Sequence, residues 1–368
     1  MRDYSGLIFA YKAGLGLREL TENRTASSIP FGGHYRVIDF SLSSFVNAGI
    51  TNIGVVMREN YMSLLDHLGS GRDWDLARKI DGLKLLPPFG YAQSSRGTAR
   101  GKIDVLHDIQ TYLQRRRQNY VIMTDGDLVA NLPYGDIIAS HENSGADITL
   151  VCSRWPAGES SDTVFCQLGP RGRVTDVMVG KEKPGYVSSL HIYIIGKQLL
   201  LDLIGRCIAN GRYDWERDVI LAMSEKLSLS GYLFDGYCAR PTSTADYFRQ
   251  NMDLLRPEVR AQLFGSPVYP KVRDEMPTYY GPDSQVRHCI VSDGCHLEGE
   301  LENCILSRGV RVEKGARVVN SILMQDAVVR AGAQVSYVIA DKQTEITKDR
   351  TLTGHDTYPI AISKAKVV

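Results

Sequence analysis

The sequence predicts two folds in series: an α/β domain built on a mostly parallel sheet, then a β-helix solenoid. Three observations carry this. Up to about residue 255, short aliphatic runs alternate with helical patterns. Residues 256–284 hold five prolines without clear periodicity (Pro257, Pro267, Pro270, Pro277 and Pro282) and read as a surface linker. From 285 to the end the apolar period becomes six, the mark of a solenoid whose single rung cannot bury its own face. A chain of 368 residues, 43% hydrophobic and 23% charged, suits two such domains. Its 43 Lys+Arg against 42 Asp+Glu exclude a nucleic-acid wrapper, which needs a large basic excess.

Gly6 to Ala10, Asn52 to Met57, Tyr120 to Thr124 and Asp147 to Ser153 read as strands, each short, aliphatic and bounded by Gly, Asn or Asp. Before the third strand, Val105, Leu106, Ile109, Tyr112 and Leu113 recur at helical spacing, and Arg115 to Arg117 close that helix at its negative pole. Alternation of this kind implies a parallel sheet covered on both faces. In the repeat region one row runs Cys304, Val310, Ala316, Ile322 and Val328, resuming at Ala340 and Ile346. A second runs Leu306, Val312, Val318 and Met324, with Gly309 and Gly315 just before row positions. No apolar run reaches the ~20 residues of a membrane span, so the protein is expected to be soluble and cytoplasmic. Seven scattered cysteines without a CxxC pair read as buried thiols.

A doubly wound sheet binds ligands at the carboxyl ends of its strands, so the loop after the first strand is the first place to look for phosphate chemistry. Phe31 to Ile50 reads FGGHYRVIDFSLSSFVNAGI, with GSGRDWDLARK at 69–79, GD at 126 and 127, EKP at 182–184 and the solenoid at the end. Over most of its length the chain resembles bacterial glucose-1-phosphate adenylyltransferase (ADP-glucose pyrophosphorylase). That resemblance implies a Rossmann-like nucleotidyltransferase domain over 1–255, a linker over 256–284 and a left-handed β-helix of hexapeptide repeats over 285–368. The implied reaction is attack of the glucose-1-phosphate oxygen on the α-phosphate of ATP, releasing pyrophosphate, with Mg²⁺ bridging the oxygens.

The family's nucleotide and metal residues are largely replaced. The glycine-rich loop falls on Phe9 to Leu17, FAYKAGLGL, where Tyr11 and Lys12 stand for two close glycines and Gly16 for the arginine. The family's following lysine and proline become Ala26 and Ser27. The first metal aspartate survives as Asp127, but its partner falls on Arg240, a guanidinium with no lone pair for Mg²⁺. The sugar-phosphate residues are better kept: Glu182 and Lys183 match the EKP pair and Ser189 its serine, although His191 replaces a glycine. The RGTADAV loop has two registers, RGTA at 96–99 by letters and RGKIDVL at 100–106 by spacing, the latter placing Asp104 on the acidic position.

This asymmetry resembles the D-type subunit of the same enzyme, a weakly active or inactive regulatory paralogue in glycogen synthesis. The expected partner is the catalytic subunit, with a sugar phosphate as ligand, no nucleic acid and no membrane. Two other classes stand beside it. One is a competent nucleotidyltransferase with a rebuilt site, using Lys12 for the loop cation and Asp214 or Asp218 for the metal. The other is an acyltransferase, whose histidine could only be His288 or His296 in the repeats.

Overall fold

The computed structural model describes residues 3–12, 14–87, 100–154, 162–180 and 182–368. They form two compact units, one of residues 1–11, 41–58 and 69–238, the other of 12–40, 59–68 and 239–368.

The first unit is built on one nine-stranded sheet. Its strands are β1 (Tyr4–Phe9), β2 (Asn52–Val56), β3 (Gly82–Leu86), β4 (Tyr120–Asp125), β5 (Ile148–Ser153), β6 (Val164–Leu168), β7 (Val174–Val179), β8 (Val187–Gly196) and β9 (Leu229–Phe234). The order across the sheet is β3-β2-β1-β4-β8-β5-β9, with β6 on the start of β8 and β7 paired to β6. Strands β3, β2, β1 and β4 are parallel, as are β5 and β9, while β8 runs antiparallel between β4 and β5. The four strands read from sequence are all present, shifted by one or two residues at their ends. Their side chains are buried on both faces, which is why each reads as a continuous apolar run. Val105, Leu106, Ile109 and Leu113 are buried as their spacing implies, but the helix is interrupted at Ile109 (φ −97°, ψ 9°) into Lys102–Asp108 and Gln110–Gln114.

In the second unit, fifteen short strands stack as three parallel five-stranded sheets, one per wall of a triangular solenoid. The solenoid begins at Tyr279–Tyr280, six residues ahead of the expected 285. Part of the stretch read as a linker is also an element. Pro257 opens the helix Pro257–Leu263, where its fixed φ suits the first turn and its missing N–H costs nothing, and Val259 and Leu263 are buried.

The six-residue period holds within a coil and slips between coils. Asn303, Asn320 and Tyr337 each sit at positive φ on one corner, 17 residues apart, so the coils there are one residue short of three hexads. The inward row therefore passes from Leu306, Val312 and Val318 to Leu323, Val329 and Val335 rather than to Met324. Ile322 and Val328 of the predicted row fall outside the solenoid core, because the 17-residue register aligns them with Ile305 and Arg311; the row of Cys304, Val310 and Ala316 passes instead to Ser321, Ala327 and Ala333, the last two in the core. All seven cysteines are free thiols; six are buried and Cys289 is half-buried.

Candidate functional site

In the second unit, the position of the family's loop arginine is closed by backbone. A Cβ added at Gly16 would lie 2.1 Å from the Thr242 carbonyl oxygen. Ala26, on the lysine position, is buried at 4% exposure in a tight turn, and its N–H donates to the Lys12 carbonyl at 3.1 Å. Arg240 is buried at 3% exposure. A buried guanidinium offers Mg²⁺ no donor atom and repels it, so the residue set does not fit the family's metal pair. Among the described residues no cluster of three or more His, Cys, Asp or Glu is placed to hold a metal ion. In the first unit, Tyr11 packs edge-on against Phe9, ring centroids 6.0 Å apart, and leans on the sheet's core.

The expected sugar-phosphate residues are engaged separately. Asp104 takes the backbone N–H and guanidinium of Arg100 at 3.0 and 2.9 Å, pairing that burial would oppose but that holds its carboxyl below the usual range. Lys183 donates to the Tyr186 hydroxyl at 3.2 Å in an exposed turn, and Glu182 is exposed beside it. Ser189 is buried, its hydroxyl accepting the His191 N–H at 3.1 Å. Asp127 is buried just after β4. The RGTA stretch at 96–99 lies outside the described residues. Asp218, offered as a rebuilt metal ligand, instead accepts the backbone N–H groups of Tyr213 and Asp214, both at 3.0 Å. His288 occupies an exposed corner at φ 52° with its ring on Asn303, and His296 stacks on Tyr279 at 4.6 Å.

Sequence reasoning missed a buried ionic cluster at the carboxyl end of β4. Lys102 Nζ lies 2.7 Å from Glu216 Oε1 and 3.3 Å from Asp125 Oδ1. His191 Nδ1 lies 3.3 Å from Glu216 and 3.8 Å from Asp125. The Tyr193 hydroxyl reaches Glu216 at 3.4 Å, and the rings of Phe9 and Tyr193 face the ammonium at 5.4 and 5.6 Å. Burial drives the Glu216 carboxyl up, but the Lys102 ammonium and the His191 bond outweigh it and carry it down to about 2. Lys102 opens its helix, whose entry Gly101 allows: a Cβ there would sit 2.2 Å from the Tyr213 carbonyl oxygen. The usable signals were gains of side chain at positions where the resemblance expects small residues, Lys102 for a threonine and His191 for a glycine.

A second unforeseen feature belongs to the other unit. An open cleft is lined by Arg36, Lys271, Arg273, Arg308, Lys342 and His67, among others. Arg308, Gln325 and Lys342 stand at equivalent places on successive coils. Burial, then the nearby Arg36 and Arg24, push Lys342 down to about 7, and burial brings Arg36 to about 10. Crowded, half-desolvated cations of this kind suit a multiply charged anion.

Comparison with known proteins accords with both units. Residues 6–234 match the nucleotidyl transferase family, and 278–358 match the GlmU-like C-terminal hexapeptide family. The glycogen biosynthesis protein GlgD of Bacillus subtilis (strain 168) is 34% identical over 355 residues, covering 95% of this chain and 93% of the relative. GlgD of Geobacillus stearothermophilus is 35% identical over 82% of this chain and 79% of its own length. The glucose-1-phosphate adenylyltransferase of Acetivibrio thermocellus is 29% identical over 95% of this chain and 83% of its own length. With a sheet domain of that family, a left-handed β-helix after it in the chain and relatives matched over most of their length, the chain belongs to the nucleotidyl transferase family.

Proposed function

We propose that this chain is a regulatory, weakly active or inactive subunit of ADP-glucose pyrophosphorylase in glycogen biosynthesis. In this reading it acts in the cytoplasm, assembles with a catalytic relative and modulates the conversion of ATP and glucose-1-phosphate to ADP-glucose and pyrophosphate. The observation that carries the reading is the closure of the phosphate side of the site. Gly16 cannot be exchanged for the family's arginine without moving the Thr242 carbonyl, and Arg240 is buried where a metal carboxylate is required. Support also comes from the names of the relatives matched over nearly the whole chain. The cationic cleft gives regulation a place to act, since an anionic effector would relieve the repulsion among Arg36, Arg308 and Lys342. The alternative of a rebuilt catalytic site is less well supported, since Asp214 accepts the Arg217 N–H at 2.8 Å and one oxygen of Asp218 accepts two backbone N–H groups.

The deciding experiment measures ADP-glucose formation with Mg²⁺ by the catalytic relative alone, by this chain alone and by the two mixed at micromolar concentration. The reading expects background turnover from this chain, co-elution of the mixture and an altered rate. Separate elution with an unchanged rate, or substantial turnover by this chain alone, overturns it.

A further inference from the structure

The sheet of the first unit reverses its order between β1 and β4. Strands β2 and β3 extend it on one side of β1, and β4 lies on the other. Open α/β sheets bind ligands in the crevice outside the carboxyl ends of the strands at such a reversal. Phe9 and Asp125 end the two strands in direct register, so the crevice opens above them. The ionic cluster stands at that place. Lys102 Nζ is 3.3 Å from Asp125 and faces the Phe9 ring at 5.4 Å.

We propose that Lys102, Asp125, His191 and Glu216 form an internal lock, in which the chain's own cations and carboxylates satisfy one another inside the ligand crevice and exclude nucleotide and sugar phosphate. The lock deepens the regulatory reading and rests on it for the identity of the excluded ligands. Its geometry stands without it.

Three features support the lock. The four side chains are almost wholly out of water, with exposures of 8, 0, 0 and 5% in sequence order, so no ligand reaches them in this arrangement. Two backbone irregularities converge on the cluster. His191 sits at φ +56° on a bulge where β8 shifts register between Ser189 and Ile192, and Glu216 opens a π-helical turn, Glu216–Leu221. A side chain in the left-handed region and a π-turn are both costly, and they persist where the surroundings demand them. The charges are also mutually dependent. Removing Lys102 alone leaves two carboxylates buried together, and removing Glu216 alone leaves Lys102 to Asp125. A single substitution therefore damages the fold before it opens the crevice.

The test uses the full-length chain and titration calorimetry with ATP and, separately, glucose-1-phosphate. The variant K102T/D125N/E216A removes the ammonium and both carboxylates together, so that none of these three charges is left buried alone. The control K102M/E216Q removes one charge of each sign and keeps the volume. With the cationic cleft disabled by R308M/K342M in every chain titrated, the otherwise unchanged chain and the control should give no saturable binding, while the triple variant, shown folded by circular dichroism, should bind at least one ligand with a gain of roughly tenfold or more. A folded triple variant with no gain overturns the lock, as does binding by wild type at this crevice. Should the triple variant not fold, crystals of wild type soaked in each ligand decide the matter. Ligand density against Lys102 or Asp125 refutes the lock, and an intact ion cluster without ligand there upholds it. Failure of the lock leaves the regulatory reading standing, because that reading is judged by the rate of mixed subunits.

Discussion

At the scale of single residues, the loop around Gly16 departs from the family's motif by what fills space as much as by the letters that differ. Gly16→Arg restores the family's letter but drives a Cβ to within 2.1 Å of the Thr242 carbonyl oxygen. Overpacking against backbone should destabilise the chain by about 1–3 kcal/mol, visible as a lower thermal midpoint, with no ADP-glucose formed. Glu216 predicts a pH dependence. Its carboxyl, ordinarily near 4.5, lies at about 2 when folded. An acid lowered by folding contributes stability that is complete above its unfolded value and is lost as pH falls through its folded one. Here the window runs from about 4.5 down to about 2, and the contribution is on the order of 3 kcal/mol. Glu216→Gln should therefore be less stable at neutral pH and show a flatter loss of stability across that window, read from denaturant midpoints at stepped pH.

At the scale of elements, the solenoid walls are uniform and their corners are not. A Cβ at Gly299 would meet the Ala316 carbonyl oxygen at 2.4 Å, on the next coil. At Gly315 the nearest atom is 3.8 Å away and only φ +77° resists a side chain. Gly299→Ala should thus cost about 2–3 kcal/mol and Gly315→Ala about 1 kcal/mol, a difference that chemical denaturation resolves. The cleft makes a second element-level prediction. Lys342 is lowered on folding from 10.5 to about 7, so between those values the unfolded chain holds the extra proton and stability rises with pH. Sulfate, which does not titrate in this range, should raise the thermal midpoint more at pH 6.5 than at pH 9, and Lys342→Met should remove much of that difference. The elements themselves were largely legible, because strands, hexads and the helix around Leu106 are periodic patterns. Corners such as Asn320 and Tyr337 were not, since a left-handed turn leaves no trace in hydrophobic spacing. Nor was Pro257 distinguishable by letter from the prolines that follow it in extended chain. Within the candidate site, the departures at Gly16, Ala26 and Arg240 are expectations that rest on a motif naming those positions. The cluster offered only the side chains gained at Lys102 and His191 as a signal, for residues 102, 125, 191 and 216 meet only after the sheet has formed.

At the scale of the whole molecule, the two units are interleaved along the chain, which passes between them at residues 11/12, 40/41, 58/59, 68/69 and 238/239. No single cut separates them. A fragment ending at residue 255 keeps 12–40 but loses Asp341, the buried partner of Arg24. Such a fragment should be cleaved within 12–40 by dilute protease under conditions where the full chain resists, and equal resistance would contradict the pairing. During synthesis the same feature sets a waiting time. Arg24 and Asp341 are 317 residues apart, and at about 5–20 residues per second the earlier partner waits roughly 15–60 s for the later one to leave the ribosome. Through that interval the segment that will line the cationic cleft is exposed and unpaired. The nascent chain is thus most in need of chaperone protection near its N-terminus, and it is released from that need only when its last coils emerge.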